Sequence, residues 1–532
     1  MLKSNGFNRL EVCSLFTMVY LYRFADRCGH SLTQTGILKT MIRRKRFVLK
    51  IIIIVILLGF VALFALGPLF HRHSEHDGPV MYVDTEKTRP NVHTMQDEGT
   101  YENASSGDVE YIEDYCNSPF KPLTGDEGAV PEGYKLRLVH VFTRHGDRTS
   151  LHALSGFPTS RYSCHFASWY NGSDPKIRYF PQYMDKMAGT QRSRSHFNNW
   201  SLYPNKAKCG PSELTSRGAL QHIRNGQHLF KKYIARHGLI SLKENYSSQV
   251  IVKSTAYSRT YQSANAFLYG FLPQYNVSIL GIQYSQSLEF CSSNPLSPGM
   301  CSCRRVQTLR NRLGRFSSLI SSNRESHRMV KRRVANVLAI DYLALPWLSA
   351  IGDILTPAYC HNLPKYCSGL KQEHCVSGPL INSIWKEVTE TENILQADVE
   401  SKSIEYANIL MYPVLLEIAQ RLILVSQGRL DVRFVLYSGH DVTLAPLLQV
   451  LGIHNGRFPP YASRLVIEAL EATKTHLFML KFIYNGVDTT RRIPFCESDL
   501  VDGMCPLKVF HSYVVDELSN QYELSGCKVE RG

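Results

Sequence analysis

The 532-residue chain contains no internal repeat and no extended low-complexity tract, which sets aside solenoid, propeller and fibrous architectures. Charged residues are few, 20% of the total against 44% apolar, and a chain of that composition folds into globular domains rather than staying disordered. Acidic residues are in deficit, 45 Asp and Glu against 60 Lys and Arg, leaving a formal charge of +15. That balance favours anionic partners without saying which anion. Cysteines at the paired C-x-x-C spacing of zinc sites are missing, although fourteen cysteines are present.

Charge-free runs of membrane-spanning length are equally scarce, so the one exception is informative. Ile51 to Phe70 is twenty residues without a charge, enough to cross a bilayer as a helix. Arg43, Arg44, Lys45, Arg46 and Lys50 precede it, so the positive-inside rule places residues 1–50 in the cytosol. The run is too long for a cleaved signal peptide and lacks a clear cleavage site, which predicts a type II signal anchor. Met41 looks like a natural start for such an anchor, making residues 1–40 an alternative extension. Twelve cysteines and five Asn-x-Ser sequons, at Asn103, Asn171, Asn199, Asn245 and Asn276, follow the anchor. Disulfides and glycosylation in a secretory lumen are the consistent reading. A lumenal basic surface gives no reason to expect nucleic acid as a partner.

Residues 71–114 are polar and aperiodic and read as a flexible stem; residues 115–532 read as the catalytic part. Leu136–Phe142, Val250–Lys253, Val432–Tyr437, Arg464–Leu470 and His476–Tyr484 have strand length and character,. Helical stretches lie between them, one running from Glu213 towards Gly238,. The alternation predicts an α/β sheet with helices on both faces. Residues 306–426 lack strong strands and read as an inserted helical cap.

Three motifs sit at strand ends, where ligands bind in such sheets. In Arg144-His145-Gly146-Asp147-Arg148, two guanidiniums can hold a phosphate by forked hydrogen bonds while the imidazole attacks phosphorus. Arg259, after the second strand, can add a further cation for the transferring phosphoryl group. His440 can donate to phosphate, and Asp441, if protonated, can supply a proton to the leaving oxygen. Each has a plainer reading: a surface histidine or arginine, and an N-cap aspartate beside a structural histidine.

Taken together, RHGDR, LTSRG, SRTYQSA and SGHD resemble the histidine acid phosphatases, a branch of the phosphoglycerate-mutase-like superfamily, over residues 134–532. The resemblance implies a mixed, mostly parallel sheet and no metal or other cofactor. It makes His145 the nucleophile, Asp441 the proton donor, and Arg144, Arg148, Arg259 and His440 the phosphate ligands. Stretches such as CSSNPLSPGMCSC and RFPPYASRLVIEAL resemble a Golgi type II branch of that family. That likeness implies removal of the 2-phosphate from xylose in the glycosaminoglycan-protein linkage region, permitting chain elongation, with a glycosyltransferase of the pathway as a partner. The family's proline after RHGxRx is replaced here by Thr149-Ser150, which puts loop rigidity in question.

Two features admit other roles. Cys301-x-Cys303, and Cys360, Cys367 and Cys375 with His361 and His374, can be drawn as zinc ligands, although disulfides suit a lumen better. The basic run Arg304 to Arg333 is either a solvated helical face or a contact for an anionic glycan. The alternatives to a phosphoxylose hydrolase are an acid phosphatase of broader range and a catalytically silent membrane-anchored glycan-binding protein.

Overall fold

The computed structural model describes residues 106–154, 172–190, 196–242, 246–290, 303–363 and 374–527, with single positions near 162–170 and at 366–368. The expected anchor at 51–70, residues 1–50, and Asn103, Asn171 and Asn245 lie outside the described residues. The first described element is helix α1 (Ser106–Cys116), whose Ile112, Tyr115 and Cys116 are buried. The boundary expected between 114 and 115 therefore falls inside a packed helix.

In chain order there follow β1 (Tyr134–Arg144), α2 (Pro175–Ala188), α3 (Ser216–Leu229), β2 (Val250–Thr255), α4 (Ser258–Phe271) and β3 (Gln283–Ser285). Five helices come next: α5 (Arg304–Asn323), α6 (Glu325–Leu338), α7 (Leu348–Cys360), α8 (Gly378–Ala397) and α9 (Ser403–Ser426). The chain then returns to the sheet with β4 (Phe434–Gly439), α10 (Asp441–Val450), β5 (Arg464–Ala472), β6 (Phe478–Tyr484), β7 (Val487–Asp488) and β8 (Cys505–Pro506).

The strands form one mixed sheet in the order β8-β6-β5-β1-β4-β2-β3, with β7 paired to β6. Only β1-β4, β4-β2 and β2-β3 are parallel. The β1-β5, β5-β6, β6-β7 and β6-β8 pairs are antiparallel. The expectation of a mostly parallel sheet thus holds for one half. The closing strands are joined by short turns, which only antiparallel neighbours allow.

From Leu138 to Arg144 strand β1 is buried on both faces, and its apolar residues therefore serve two cores. Val139 and Val141 point into a core shared with Ala219 and Ile223 of α3, Val252 of β2 and Phe267 of α4. Leu138 and Phe142 point into an opposite core with Leu415 and Ile418 of α9, Val435 and Tyr437 of β4 and Leu444 of α10, as the two-residue period requires. Helix α9 is long and apolar enough to cross a membrane, but its apolar side fills this second core. A third core gathers Val334 and Leu338 of α6, Ile351 and Leu355 of α7, Ile384 and Trp385 of α8, and Ile112 and Tyr115 of α1.

Disulfides join Cys116 to Cys360, Cys164 to Cys209, Cys303 to Cys527, Cys367 to Cys375 and Cys496 to Cys505. Cys303, Cys360, Cys367 and Cys375, drawn as zinc ligands, are consumed in these pairs, and Cys301 lies outside the described residues. Much of the basic run on α5 and α6 is also matched. Arg305 pairs with Glu405, Arg310 with Glu289, Arg312 with Glu400, Arg324 with Glu387 and Arg328 with Glu325, which leaves a solvated, largely compensated face.

Candidate active site

Strands β1 and β4 run parallel with Arg144 opposite Gly439, so both chains leave the sheet at the same level. The His145 amide donates to the Gly439 carbonyl at 2.9 Å, and the rings of His145 and His440 come within 5.5 Å, nearly perpendicular. Strand β2 is the next parallel neighbour of β4; it ends at Thr255, and Arg259 follows in the first turn of α4. The ends of three adjacent strands bring Arg144, His145, Arg148, Arg259, His440 and Asp441 into one site.

His145 is buried, and its Nδ1 lies 2.8 Å from the carbonyl of Gly146. A carbonyl only accepts, so the ring proton sits on Nδ1 and the Nε2 lone pair is bare. Burial and the charges of Arg259, Arg144 and Arg148 hold this imidazole well below the usual histidine range, which keeps it neutral. A side chain on Gly146 would put its Cβ 2.3 Å from the carbonyl oxygen of Gly218, and one on Gly218 would meet the Asp147 carbonyl at 2.2 Å. The glycine of LTSRG is thus the surface on which the catalytic loop rests.

The three arginines are held from behind. Arg144, fully buried, donates through Nη1 to the Pro459 carbonyl at 2.6 Å and through Nη2 to the Tyr115 hydroxyl at 3.0 Å. Its Nη2 also lies 3.2 Å from Asp441 Oδ2, and its guanidinium faces the rings of Tyr115 and Tyr461. Arg148 Nη2 is 2.7 Å from Asp353 Oδ1 on α7. Arg259 Nη1 donates to Ser212 Oγ at 2.9 Å, while Tyr257 covers its guanidinium at 4.5 Å. The Nε of all three is buried with no hydrogen-bond partner among the described residues. Three guanidiniums gathered round one imidazole make a site whose charge suits a multiply charged oxyanion. Burial and the charge of Arg148 lower Arg259 to about 10.

His440, not Asp441, is the N-cap, and Asp441 is the first residue of α10, so the plainer reading of an N-cap aspartate does not hold. Burial, then the charge of Arg259, depresses His440 to about 3. Burial acts to raise the Asp441 carboxyl, but Arg144, Arg148 and His440 outweigh it and hold it below its ordinary value. The free site therefore carries an ionised Asp441.

Several supporting residues escaped the sequence reading. Asp147 is buried and accepts from Thr215 Oγ1 and from His361 Nε2; its amide donates to Gln221 Oε1 at 2.7 Å. His361, considered above as a metal ligand, instead braces the catalytic loop. At Ser150, where the family has proline, the carbonyl accepts from the Ser212 amide at 3.1 Å, and the preceding Thr149 donates its amide to the Glu213 carbonyl at 3.0 Å and its hydroxyl to the Gly210 carbonyl at 2.7 Å. Hydrogen bonds supply the rigidity that a proline ring gives elsewhere. Of the sequons in view, Asn199 is exposed, and Asn276 is half-buried with its Oδ1 accepting from the Ser278 amide.

Residues 135–485 match the family model described as "Histidine phosphatase superfamily (branch 2)", and the chain belongs to that family: it is a phosphatase. Over 402 residues it is 34% identical to "2-phosphoxylose phosphatase 1" of Mus musculus, covering 74% of this chain and 80% of the relative. It is 31% identical to the Homo sapiens protein of the same name over 401 residues, covering 74% and 80% respectively. Among solved structures, a Hafnia alvei phytase bound to tartrate aligns with a TM-score of 0.48 at 17% identity, over 75% of this chain and 100% of that one.

Proposed function

We propose that the site hydrolyses phosphomonoesters through a phosphohistidine on His145. The bare Nε2 of a neutral His145, set among the guanidiniums of Arg144, Arg148 and Arg259, is the observation that carries this reading. Arg144, Arg148 and Arg259 cradle the equatorial oxygens, His145 attacks in line, and Asp441 protonates the departing sugar oxygen. Water, deprotonated by Asp441, then releases phosphate from His145.

The proton on Asp441 arrives with the substrate. A bound dianion adds negative charge beside the carboxylate and engages Arg144 and Arg148, the cations that depress it, so its affinity for a proton rises. An acidic optimum is the consequence.

For the substrate we propose the 2-phosphate of xylose in the glycosaminoglycan-protein linkage region. The supports are the identity to relatives named for phosphoxylose over most of their length and the basic balance of the chain. The setting is the Golgi lumen, with Ile51–Phe70 as the type II anchor and a glycosyltransferase of the same pathway as the partner that extends the dephosphorylated product. The test is phosphate release from a phosphoxylose linkage tetrasaccharide by wild type and His145→Ala. Turnover by wild type and none by the variant is expected. Turnover of simple aryl phosphates without turnover of the tetrasaccharide leaves the broader acid phosphatase.

A further inference from the structure

Thr255, the last residue of β2, lies behind His440 and outside the six residues assigned to phosphate chemistry. Its Oγ1 is 2.8 Å from His440 Nε2 and donates to Thr260 Oγ1 at 2.9 Å. The proton of Thr260 goes in turn to the carbonyl of Thr255 at 3.1 Å or of Tyr257 at 2.9 Å. A carbonyl can only accept, so the chain has one polarity: Thr260 donates to the backbone, Thr255 to Thr260, and His440 Nε2 to Thr255. At the other side of the ring, Arg259 Nη2, which can only donate, lies 3.4 Å from Nδ1. Both ends specify the same tautomer.

We propose that Thr255 is a positioning residue that fixes the proton of His440 on Nε2, so that Nδ1 is bare in the free enzyme and takes a proton from solvent as a phosphoryl oxygen arrives. The inference rests on the phosphate-site reading above. A bare Nδ1 turned toward a phosphate oxygen would set lone pair against lone pair; protonated, it becomes a charge-assisted donor. The groups facing the ring are Arg259 from α4, Arg144, Arg148 and His145 from the end of β1, the Tyr257 ring, and Asp441 on its own helix. The cations keep the ring neutral until a dianion offsets them. Binding then consumes a proton, and affinity for the anion falls as pH rises.

In Thr255→Val the acceptor is gone and an Nε2 proton would be buried without a partner. The Arg259 approach to Nδ1, at 3.4 Å, is the weaker of the two constraints, so the proton moves to Nδ1, and a neutral ring can greet the anion without uptake. Thr255→Ser preserves the original arrangement. The probe is sulfate, which carries no proton of its own near pH 6, titrated calorimetrically in buffers of different ionisation enthalpy. An Asp441→Asn background removes the other group that gains a proton beside a bound anion. About one proton taken up per sulfate is expected where the hydroxyl is kept, with Thr255 itself and in Thr255→Ser, and close to none in Thr255→Val. The 15N shifts of His440 should report Nε2–H with threonine or serine at this position and Nδ1–H with valine. Sulfate binding without uptake by the threonine enzyme, or Nδ1–H in that enzyme, overturns the proposal even if the valine variant does not fold. Failure of sulfate to bind at all removes the phosphate-site reading and this inference with it.

Discussion

At the scale of single residues, proton placement decides what the site can do. His145 has its proton committed to the Gly146 carbonyl, whereas Asp441 must gain one that the arginines deny it in the free enzyme. Asp441→Asn should therefore lower kcat/KM, which reports phosphorylation of His145 and not the later hydrolysis common to all substrates, by about 10²–10⁴ on a sugar phosphate, whose alkoxide leaves poorly without a proton. On p-nitrophenyl phosphate, whose leaving group needs none, the loss should be far smaller; equal losses on both substrates would rule out the donor role. The sign of the pH dependence follows. With the wild type, turnover of the sugar phosphate should fall as pH rises through the carboxyl's substrate-bound pKa, while the nitrophenyl ester loses little over the same range.

At the scale of elements, helix α7 supports the catalytic loop at two points, through Asp353 on Arg148 and His361 on Asp147, and the Cys116–Cys360 disulfide ties its end to α1. Asp353 Oδ2 also accepts from the amides of Leu151 and His152, at 2.7 and 3.3 Å. Asp353→Ala should cost on the order of 3 kcal/mol, since it strands a buried guanidinium, measured by urea unfolding. Inorganic phosphate, which supplies a replacement counter-charge to Arg148, should raise the melting temperature of this variant more than that of wild type. An equal or smaller rise would show that Asp353 does not hold a phosphate ligand. None of this was legible beforehand. The strand ends were, because each motif directly follows an apolar run, and parallel pairing then places neighbouring ends together. Asp353 and His361 meet the loop across more than two hundred residues, and nothing in helical periodicity says which polar residue of a helix will face a distant loop. The antiparallel half of the sheet was likewise hidden: strand character carries no direction.

At the scale of the whole molecule, the acidity that favours catalysis works against the fold. His140 and His222 are fully buried; burial holds His140 well below the ordinary histidine range and His222 at about 4. In the unfolded chain both bind protons below about pH 6.5. The unfolded state then holds more protons than the native one, so stability falls as pH drops from 6.5, by about 2 kcal/mol per histidine at pH 5. Carboxylates contribute little to that loss: Glu127, whose burial is outweighed by His228 and Arg464, is lowered to about 2, and its stabilising share is present above the unfolded value and disappears only toward that pH. His140 is the clearer lever. It lies on β1 between Leu138 and Phe142, against the ring of Tyr437 and near Arg421 and Lys253, and neither ring nitrogen has a hydrogen-bond partner among the described residues. His140→Leu keeps the volume and removes the titration, so it should stabilise the protein by about 2 kcal/mol more at pH 5 than at pH 7. Urea midpoints at the two pH values provide the measurement, and a gain that is the same at both would show that His140 does not titrate on unfolding.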